Sequence, residues 1–541
     1  MSLWVPLLLA ALSVTQALRR RSLRYLRYFQ QEEYDGRRFT AWHLRHRAFD
    51  TRLSLIALAA VAAFLAWPSP EALPHPAWWF ASGLFLLWPN LEADPRSTGK
   101  LTLKMTARVR RIHLASSSLT LAGSALAALV AHELHRRGIA DPGVAFWSLA
   151  LLLAQASPFS LVLGNALLAP YERRLQRGFI QQARARLELI RPLVVGITGS
   201  YGKTSTKTIL ASFLQTLGPT FWPPRSINTE MGIAREIRER LSDAHRFAII
   251  EMGAYRKGSI ARLCSLTPPN AAIVTCVGVM HLERFGSPQA ILEAKSELAQ
   301  ALPPQGILVC NGDDPGARRI ATDHPRAVTL LYGYDAAGLD ARITDLTCSA
   351  QGSRFNLHWR GETHEALTPL LGRPMISNLL AAFTLAAHLG AKPQALLAEA
   401  RLLQPAEHRL EPKPRGAGIT LLDDSYNSNP AGFAAALEVL ALFPAKRRWL
   451  VTPGMVELGE LQAPENQRLA QTAGGLCDEV ILLGDTNRAA LEAGLAGSKA
   501  RTRWVPHRDQ ANALLDAEAA PGDVILWEND LPDVYEDCPR F

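Results

Sequence analysis

The stretch VVGITGSYGKTSTKTIL, Val194 to Leu210, decides how the chain is read. PLVVGIT is a short, β-branched apolar run, the pattern of a buried parallel strand. GSYG is the turn, and KTSTKTILASFLQTLG has the apolar spacing of a helix that stops at Gly218-Pro219. Strand, glycine loop and helix amino terminus together make an anion site, because backbone N–H groups and the helix dipole face a phosphate. The common phosphate-loop spacing G-x-x-x-x-G-K-[ST] needs a glycine at 197, where this chain has Ile197; the nearest glycines are Gly196 and Gly199. Gly199, Gly202, Lys203 and Thr204 still fall together after the strand. Phosphate binding is therefore expected, with Lys203 reaching the β- and γ-phosphates and Thr204 offering its hydroxyl to Mg2+.

Upstream of this loop the chain changes character. At 541 residues it is too long for one domain, and roughly 100–200 residues per domain suggests three or four. The net charge of +9 is unevenly spread: residues 1–190 hold 23 Lys or Arg against 11 Asp or Glu, and the rest holds 35 against 38. Basic blocks alternating with hydrophobic runs are the mark of membrane topology, so a nucleic-acid partner is not expected.

Five apolar stretches stand out: Leu3–Leu18, Leu53–Trp67, about Leu73–Leu91, Leu114–Ala131 and Val144–Leu168. A spanning helix needs roughly 20 mostly apolar residues, which the fourth and fifth supply best. Arg-rich segments follow the first, third and fifth stretches, which places the amino terminus outside and everything after the fifth span in the cytoplasm. The first stretch lacks a basic start and its basic block comes afterwards, so an uncleaved anchor fits better than a signal peptide. No span carries a charge near its centre, which favours anchoring over a transport path. The six cysteines form no C-x-x-C pair and no His/Cys cluster, as expected of reduced thiols in a cytoplasmic body.

TGSYGKTST resembles the T-G-[ST]-x-G-K-T loop of the Mur ligases, the ATP-dependent amide ligases of peptidoglycan synthesis, and later motifs agree in order and spacing. SINTEMGIAREI resembles N-N-E-x-G of the branch that adds D-alanyl-D-alanine (MurF), and AIIEMGAYRKGSI resembles its E-M-G-A-x-x-x-G-E-I. VGVMHLERFGSPQAILEAKSEL resembles I-G-x-A-H-L-E-x-F-G-S…A-K-x-E, LLDDSYNSNPAGF resembles D-D-x-Y-N-A-N-P, and GMVELGEL resembles G-D-M-x-E-L-G. The likeness runs from Val194 to about Gly459. A membrane-linked ABC-type ATPase is the weaker reading, since no LSGGQ-like signature and no apolar strand ending in D-E occurs.

The resemblance implies roles residue by residue. Thr198, Gly199, Ser200, Gly202, Lys203, Thr204 and Ser205 would hold nucleotide phosphates. Thr204, Glu251, His281 and Lys295 would hold Mg2+, the lysine as a carbamate. Lys203, Glu251, His281 and Lys295 form the catalytic set. Asn228, Glu230, Tyr426, Asn427 and Asn429 would meet the substrate. Asp424 resembles a ribose-contacting aspartate, Arg409 a phosphate-binding arginine, and Asn378 an adenine-contacting asparagine. Read without the resemblance, a carboxylate such as Glu251 at the end of an apolar strand can hold a cation at the loop. A lone histidine or an amphipathic-helix lysine more often serves packing or solvation.

After LLQPAEHRLEP, strands (ITLLDDSY, RRWLVTPGM, DEVILLGD, TRWVP, GDVILWEND) alternate with helices, which argues for a parallel α/β sheet in its own domain. Several features depart from the family. Pro374 and Met375 stand in place of a His-Asn pair before Asn378, Asn466 replaces a histidine, and the ending WENDLPDVYEDCPRF is acidic. The family's UDP-sugar-binding amino-terminal domain is missing, with the apolar segment in its place.

The expected architecture is an α-helical membrane domain (1–190, about five transmembrane helices), then α/β: a central P-loop ATPase domain (191–405) and a carboxyl-terminal Rossmann-like domain (406–541). The expected function is membrane-anchored, ATP- and Mg2+-dependent ligation of an amine, D-alanyl-D-alanine or similar, to a muramyl-peptide carboxylate through an acyl phosphate. It would act at the bacterial cytoplasmic membrane with its catalytic domains in the cytoplasm, within a cell-wall synthesis complex. A polymerising ligase of the poly-γ-glutamate synthase type and a non-catalytic cell-wall scaffold are the alternatives.

Overall fold

The computed structural model describes residues 3–67, 75–92, 94, 101–416, 418–531 and 535. It divides into two compact units, 1–175 with 532–541, and 176–531. The start of the third apolar stretch, Cys538 and most of the acidic ending lie outside the described residues. The five described cysteines are free thiols.

The first unit is helical. Its apolar stretches lie in the helices Trp4–Gln31, Thr51–Ala66, Pro76–Leu91, Ala107–Arg136 and Pro142–Ile190, joined by the short helix Gly36–Arg45. Caps fix several starts: Asp50 accepts from the Leu53 N–H at 3.0 Å and Thr106 from that of Val109 at 3.2 Å. Trp78, Phe85, Phe146 and Trp147 form an aromatic core with alanines and leucines of the first helix. Arg21 is buried between Asp50 and Glu92, and Arg24 and Arg52 also reach Glu92. Ala107–Arg136 and Pro142–Ile190 are long and apolar enough to cross a membrane; no other described helix is.

The second unit holds two sheets. The first contains β1 (Leu193–Thr198), β2 (Thr220–Phe221), β3 (Phe247–Glu251), β4 (Ala271–Val274), β5 (Ile307–Asn311), β6 (Val328–Gly333), β7 (Ala341–Ser349), β8 (Gly352–Trp359) and β9 (Glu362–Thr368), in the order β2-β3-β1-β4-β5-β6-β7-β8-β9. It is parallel through β7, and β7–β8–β9 form an antiparallel meander. Alternate residues of the central strands enter separate cores. Val195, Ile197 and Ile249 pack with the helices Lys203–Gln215 and Arg373–His388, while Val194, Ala248 and Ile250 pack with Glu230–Arg240, Ser259–Leu266 and Pro288–Ala301. Burial on both faces is why these strands read as unbroken apolar runs.

Phe213 is fully buried in the first of these cores. Phe213→Ala is expected to destabilise this unit by about 3–5 kcal/mol, read as a lowered midpoint in denaturant unfolding followed by fluorescence.

The second sheet holds β10 (Glu411–Pro414), β11 (Thr420–Asp424), β12 (Arg448–Thr452), β13 (Glu479–Leu483), β14 (Arg501–Val505) and β15 (Val524–Glu528), in the order β10-β11-β15-β12-β13-β14. All pairs are parallel except β10–β11, so the strands foreseen from the sequence share one sheet and β10 is an added edge.

Candidate active site

The loop Gly199–Gly202 joins the carboxyl end of β1 to the helix Lys203–Gln215. In the first sheet the chain runs from β1 out to β2, returns as β3, and then crosses to β4 on the other side of β1. Ligands of parallel sheets collect at such a reversal, outside the carboxyl ends of the strands. Thr198 is buried and donates to the Met252 carbonyl at 3.1 Å. Ser200 donates from its backbone N–H to the Cys276 carbonyl at 2.9 Å and from its hydroxyl to that of Gly278 at 2.8 Å. Gly202 has φ of 83°, a left-handed conformation that suits glycine, and a Cβ there would collide with Asn378. The Lys203 ammonium folds over the loop, donating to the carbonyls of Gly199 at 2.7 Å and Ser200 at 3.1 Å. Ser205 is buried in the first turn.

Glu251, the last residue of β3, is the hub. Its Oε2 accepts from Thr204 Oγ1 at 2.9 Å and lies 3.2 Å from Lys207 Nζ; its Oε1 accepts from Asn228 Nδ2 at 3.0 Å. Ser226 Oγ is 3.1 Å from Thr204 Oγ1. Burial by itself would raise the Glu251 carboxyl, but Lys207, Lys203, Asn228 and Thr204 together hold it below its ordinary range. Thr204 and Glu251, both expected at Mg2+, are thus neighbours, and Asn228, expected to meet the substrate, hydrogen-bonds Glu251. Lys207 and Ser226 were not foreseen, although Lys207 stands four residues after Lys203, one helical turn on. Glu230 opens the next helix, Glu230–Arg240.

Among the described residues no cluster of three or more His, Cys, Asp or Glu is arranged for a metal. The hydroxyl of Thr204 and the carboxylate of Glu251 are nonetheless the hard oxygen donors that suit Mg2+, which takes few protein ligands and completes its shell with water and phosphate. His281 and Lys295 do not join this pair. His281 has φ of 56°, and its Nδ1 meets Oε2 of Glu457, whose Oε1 takes Arg284 at 2.6 Å. Glu457, from GMVELG, also has a left-handed backbone, with φ of 63°. A carboxylate on Nδ1 leaves Nε2 as the nitrogen available to a cation. Lys295 is buried on the helix Pro288–Ala301 and makes no hydrogen bond or ion pair among the described residues. Burial, reinforced by the nearby Lys203 charge, lowers its ammonium to about 7.

Asn378 accepts from Thr206 Oγ1 at 3.2 Å and lies against the glycine loop. In the second sheet, Asp424 ends β11 and accepts from the Leu410 N–H at 3.0 Å, while the Arg409 guanidinium stacks 4.1 Å from the centre of the Tyr426 ring. Asn427 accepts from the Ser428 N–H, and Asn429 caps the helix Pro430–Leu442 by accepting from Gly432 N–H at 3.0 Å. Asn466 is fully buried, clamping Met455 through both its N–H and its carbonyl. Its amide fixes the GMVELG loop from behind.

Residues 197–386 match the Mur ligase middle domain and residues 408–528 the Mur ligase glutamate ligase domain. The chain is 34% identical over 355 residues to the UDP-N-acetylmuramoyl-tripeptide–D-alanyl-D-alanine ligase of Mycobacterium tuberculosis (strain ATCC 25618 / H37Rv), covering 62% of this chain and 69% of that one. It is 35% identical over 307 residues to the Escherichia coli (strain K12) ligase of the same name, covering 56% and 67%. A crystal structure of MurF ligase from Thermotoga maritima in complex with ADP aligns with a TM-score of 0.60 at 26% identity, over 67% of this chain and 82% of that one. One of MurF from Acinetobacter baumannii aligns with a TM-score of 0.59 at 25% identity, over 65% and 77%.

Proposed function

Because the chain belongs to the Mur ligase family, we propose that it joins D-alanyl-D-alanine to a muramyl-tripeptide in peptidoglycan synthesis, as an ATP-dependent, ADP-forming amide ligase. The observation that carries this reading is the convergence of Lys203, Thr204, Asn228 and Glu251 at the carboxyl ends of β1 and β3, inside the segment that matches the family's middle domain.

In the first step a substrate carboxylate oxygen attacks the γ-phosphorus of ATP, the bond to the β–γ bridging oxygen breaks, and ADP leaves. In the second the amine attacks the acyl carbon, the C–N bond forms, the acyl C–O bond to phosphate breaks, and one amine proton passes to the departing phosphate. Lys203 turns from the loop carbonyls to the transferred phosphoryl oxygens, where its charge counts most in the transition state. Thr198, Gly199, Ser200, Gly202 and Ser205 shape the phosphate cradle, and Asn378 supports it from the side. Thr204 and Glu251, with His281 and Lys295 for a second site, would hold Mg2+, which supplies positive charge against the developing phosphate charge. Arg409 and Asp424 receive the nucleotide from the second sheet, whose parallel order supports reading it as a Rossmann-like domain. Asn228, Glu230, Tyr426, Asn427 and Asn429 line the substrate side.

The helical unit anchors the ligase at the cytoplasmic membrane, beside the other cell-wall enzymes. Its two long apolar helices keep large side chains such as Leu114, Leu152 and Leu167 exposed, as a lipid-facing surface requires. Extraction of membranes with alkaline carbonate should leave the protein in the pellet; release to the supernatant would remove the anchor from this reading.

The activity is tested by ADP release from the detergent-purified chain with ATP, Mg2+, UDP-muramyl-tripeptide and D-alanyl-D-alanine, each omitted in turn. Turnover that needs both substrates and yields a single pentapeptide product is expected. A ladder of products would transfer the protein to the polymerising class, and no dependence on either substrate would end the ligase assignment.

A further inference from the structure

Glu528 ends β15 and pairs in register with Asp424, the last residue of β11, so their carboxyl groups are neighbours at the carboxyl ends of two adjacent parallel strands. Asp424 is partly open, whereas Glu528 is fully buried. Oε1 of Glu528 accepts from Ser428 Oγ. Oε2 accepts from no donor among the described residues, and the Asp424 carboxyl is its acidic neighbour. Asp424 is otherwise fixed by the Leu410 N–H at its Oδ1 and by the Asn529 N–H, 3.1 Å from its backbone carbonyl.

Two ionised carboxylates buried side by side repel, so this contact is a hydrogen bond only when the pair holds one proton. Burial raises both groups, Asp424 to about 6 and Glu528 further, while Arg409 opposes the rise in each. Asp423 is the other charged neighbour that acts on Asp424, and it is itself held by His408 and Lys413. The proton therefore belongs on the more buried Glu528, and the charge on the more open Asp424.

We propose that Glu528 is a positioning residue for nucleotide binding: from behind Asp424 it donates the hydrogen bond that keeps this carboxylate charged and aimed as an acceptor for sugar hydroxyls. The proposal rests on the reading of Asp424 given above. It also gives a use to the WEND ending, which the family resemblance left unexplained.

The test is ADP affinity of the full-length chain in detergent, by calorimetry between pH 5.5 and 8.5, together with KM for ATP and kcat. Glu528→Leu removes the donor and is expected to weaken ADP binding and raise KM about tenfold, with kcat at saturating ATP changed much less. Glu528→Gln keeps a donor and should restore affinity to within about threefold of the unmodified chain. In the unmodified chain affinity should fall as pH drops through about 6, when Asp424 takes up a proton and the pair becomes neutral. In Glu528→Leu that fall should move to higher pH, because the donor that favoured the charged form is gone. Equal affinities and equal acid limbs for Leu and Gln would overturn the proposal. If Glu528→Leu does not fold, Ser428→Ala, which frees only Oε1, should weaken binding by a smaller factor in the same direction, and no change would count against it. Should the unmodified chain bind no ADP, and Lys203→Ala alter nothing, the nucleotide reading fails first. Lys203-dependent binding that is indifferent to residue 528 sinks the positioning role alone.

Discussion

Lys203→Ala is expected to lower ATP-dependent ligation about 10²–10³-fold while leaving the fold in place. The ammonium is tied to two loop carbonyls, Gly199 and Ser200, in the loop proposed to take the nucleotide phosphates. Those carbonyls lose little when the side chain is removed, because water can replace a donor at a partly open site. In the proposed reaction the transferred phosphoryl group loses this positive charge, and that loss falls mainly on the transition state, so kcat should drop more than KM rises. Lys203→Arg keeps the charge but not the compact geometry, and intermediate activity is expected. Rates measured by ADP release, beside thermal unfolding midpoints of the same samples, separate this from misfolding. An alanine variant with the full rate would mean that the loop does not serve phosphoryl transfer.

The strand–loop–helix unit and the carboxylate of Glu251 were legible because each rests on local pattern: an apolar run, a turn made of glycine, a polar residue where the strand ends. The later alternation of strands and helices was legible for the same reason. What stayed hidden depends on register between distant segments. Glu528 and Asp424 are 104 residues apart in sequence, and only the parallel pairing of β15 with β11 makes them neighbours. Glu457 and His281 are likewise far apart, and nothing in GMVELG announces that its glutamate takes a histidine and an arginine. The antiparallel meander β7–β9 was not foreseen, since its strands carry charge on their open face and lack apolar continuity. Asn429 shows the reverse difficulty: a residue whose motif suggests substrate contact also caps a helix, and sequence alone cannot separate the two uses.

Lys295→Met should abolish most ligation and at the same time stabilise the protein at neutral pH. The side chain is buried, without an ion-pair partner, and near Lys203; its ammonium is lowered from 10.5 to about 7. The unfolded chain therefore binds a proton that the folded chain resists between about pH 7 and 10.5. Stability contributed at this position rises with pH across that window, and the penalty is fully present below it. A lowering of this size corresponds to roughly 4–5 kcal/mol as an upper bound, of which relaxation and water would leave a part. Methionine fills a similar volume without charge, so a Tm higher by about 5 °C is expected at pH 7 in bicarbonate-free buffer. The gain should shrink steadily as pH rises toward 10.5, and only above that is the lysine neutral in both states. Such a cost is kept only where the amine is needed, and a lysine that is neutral near pH 7 is the form that reacts with CO2 to give a carbamate. Ligation by the unmodified chain should accordingly fall when CO2 is stripped and recover with bicarbonate, a response that Lys295→Met cannot give. If Lys295→Met is less stable at pH 7 and ligates normally, the lysine is a packing residue and the second cation site loses its anionic ligand.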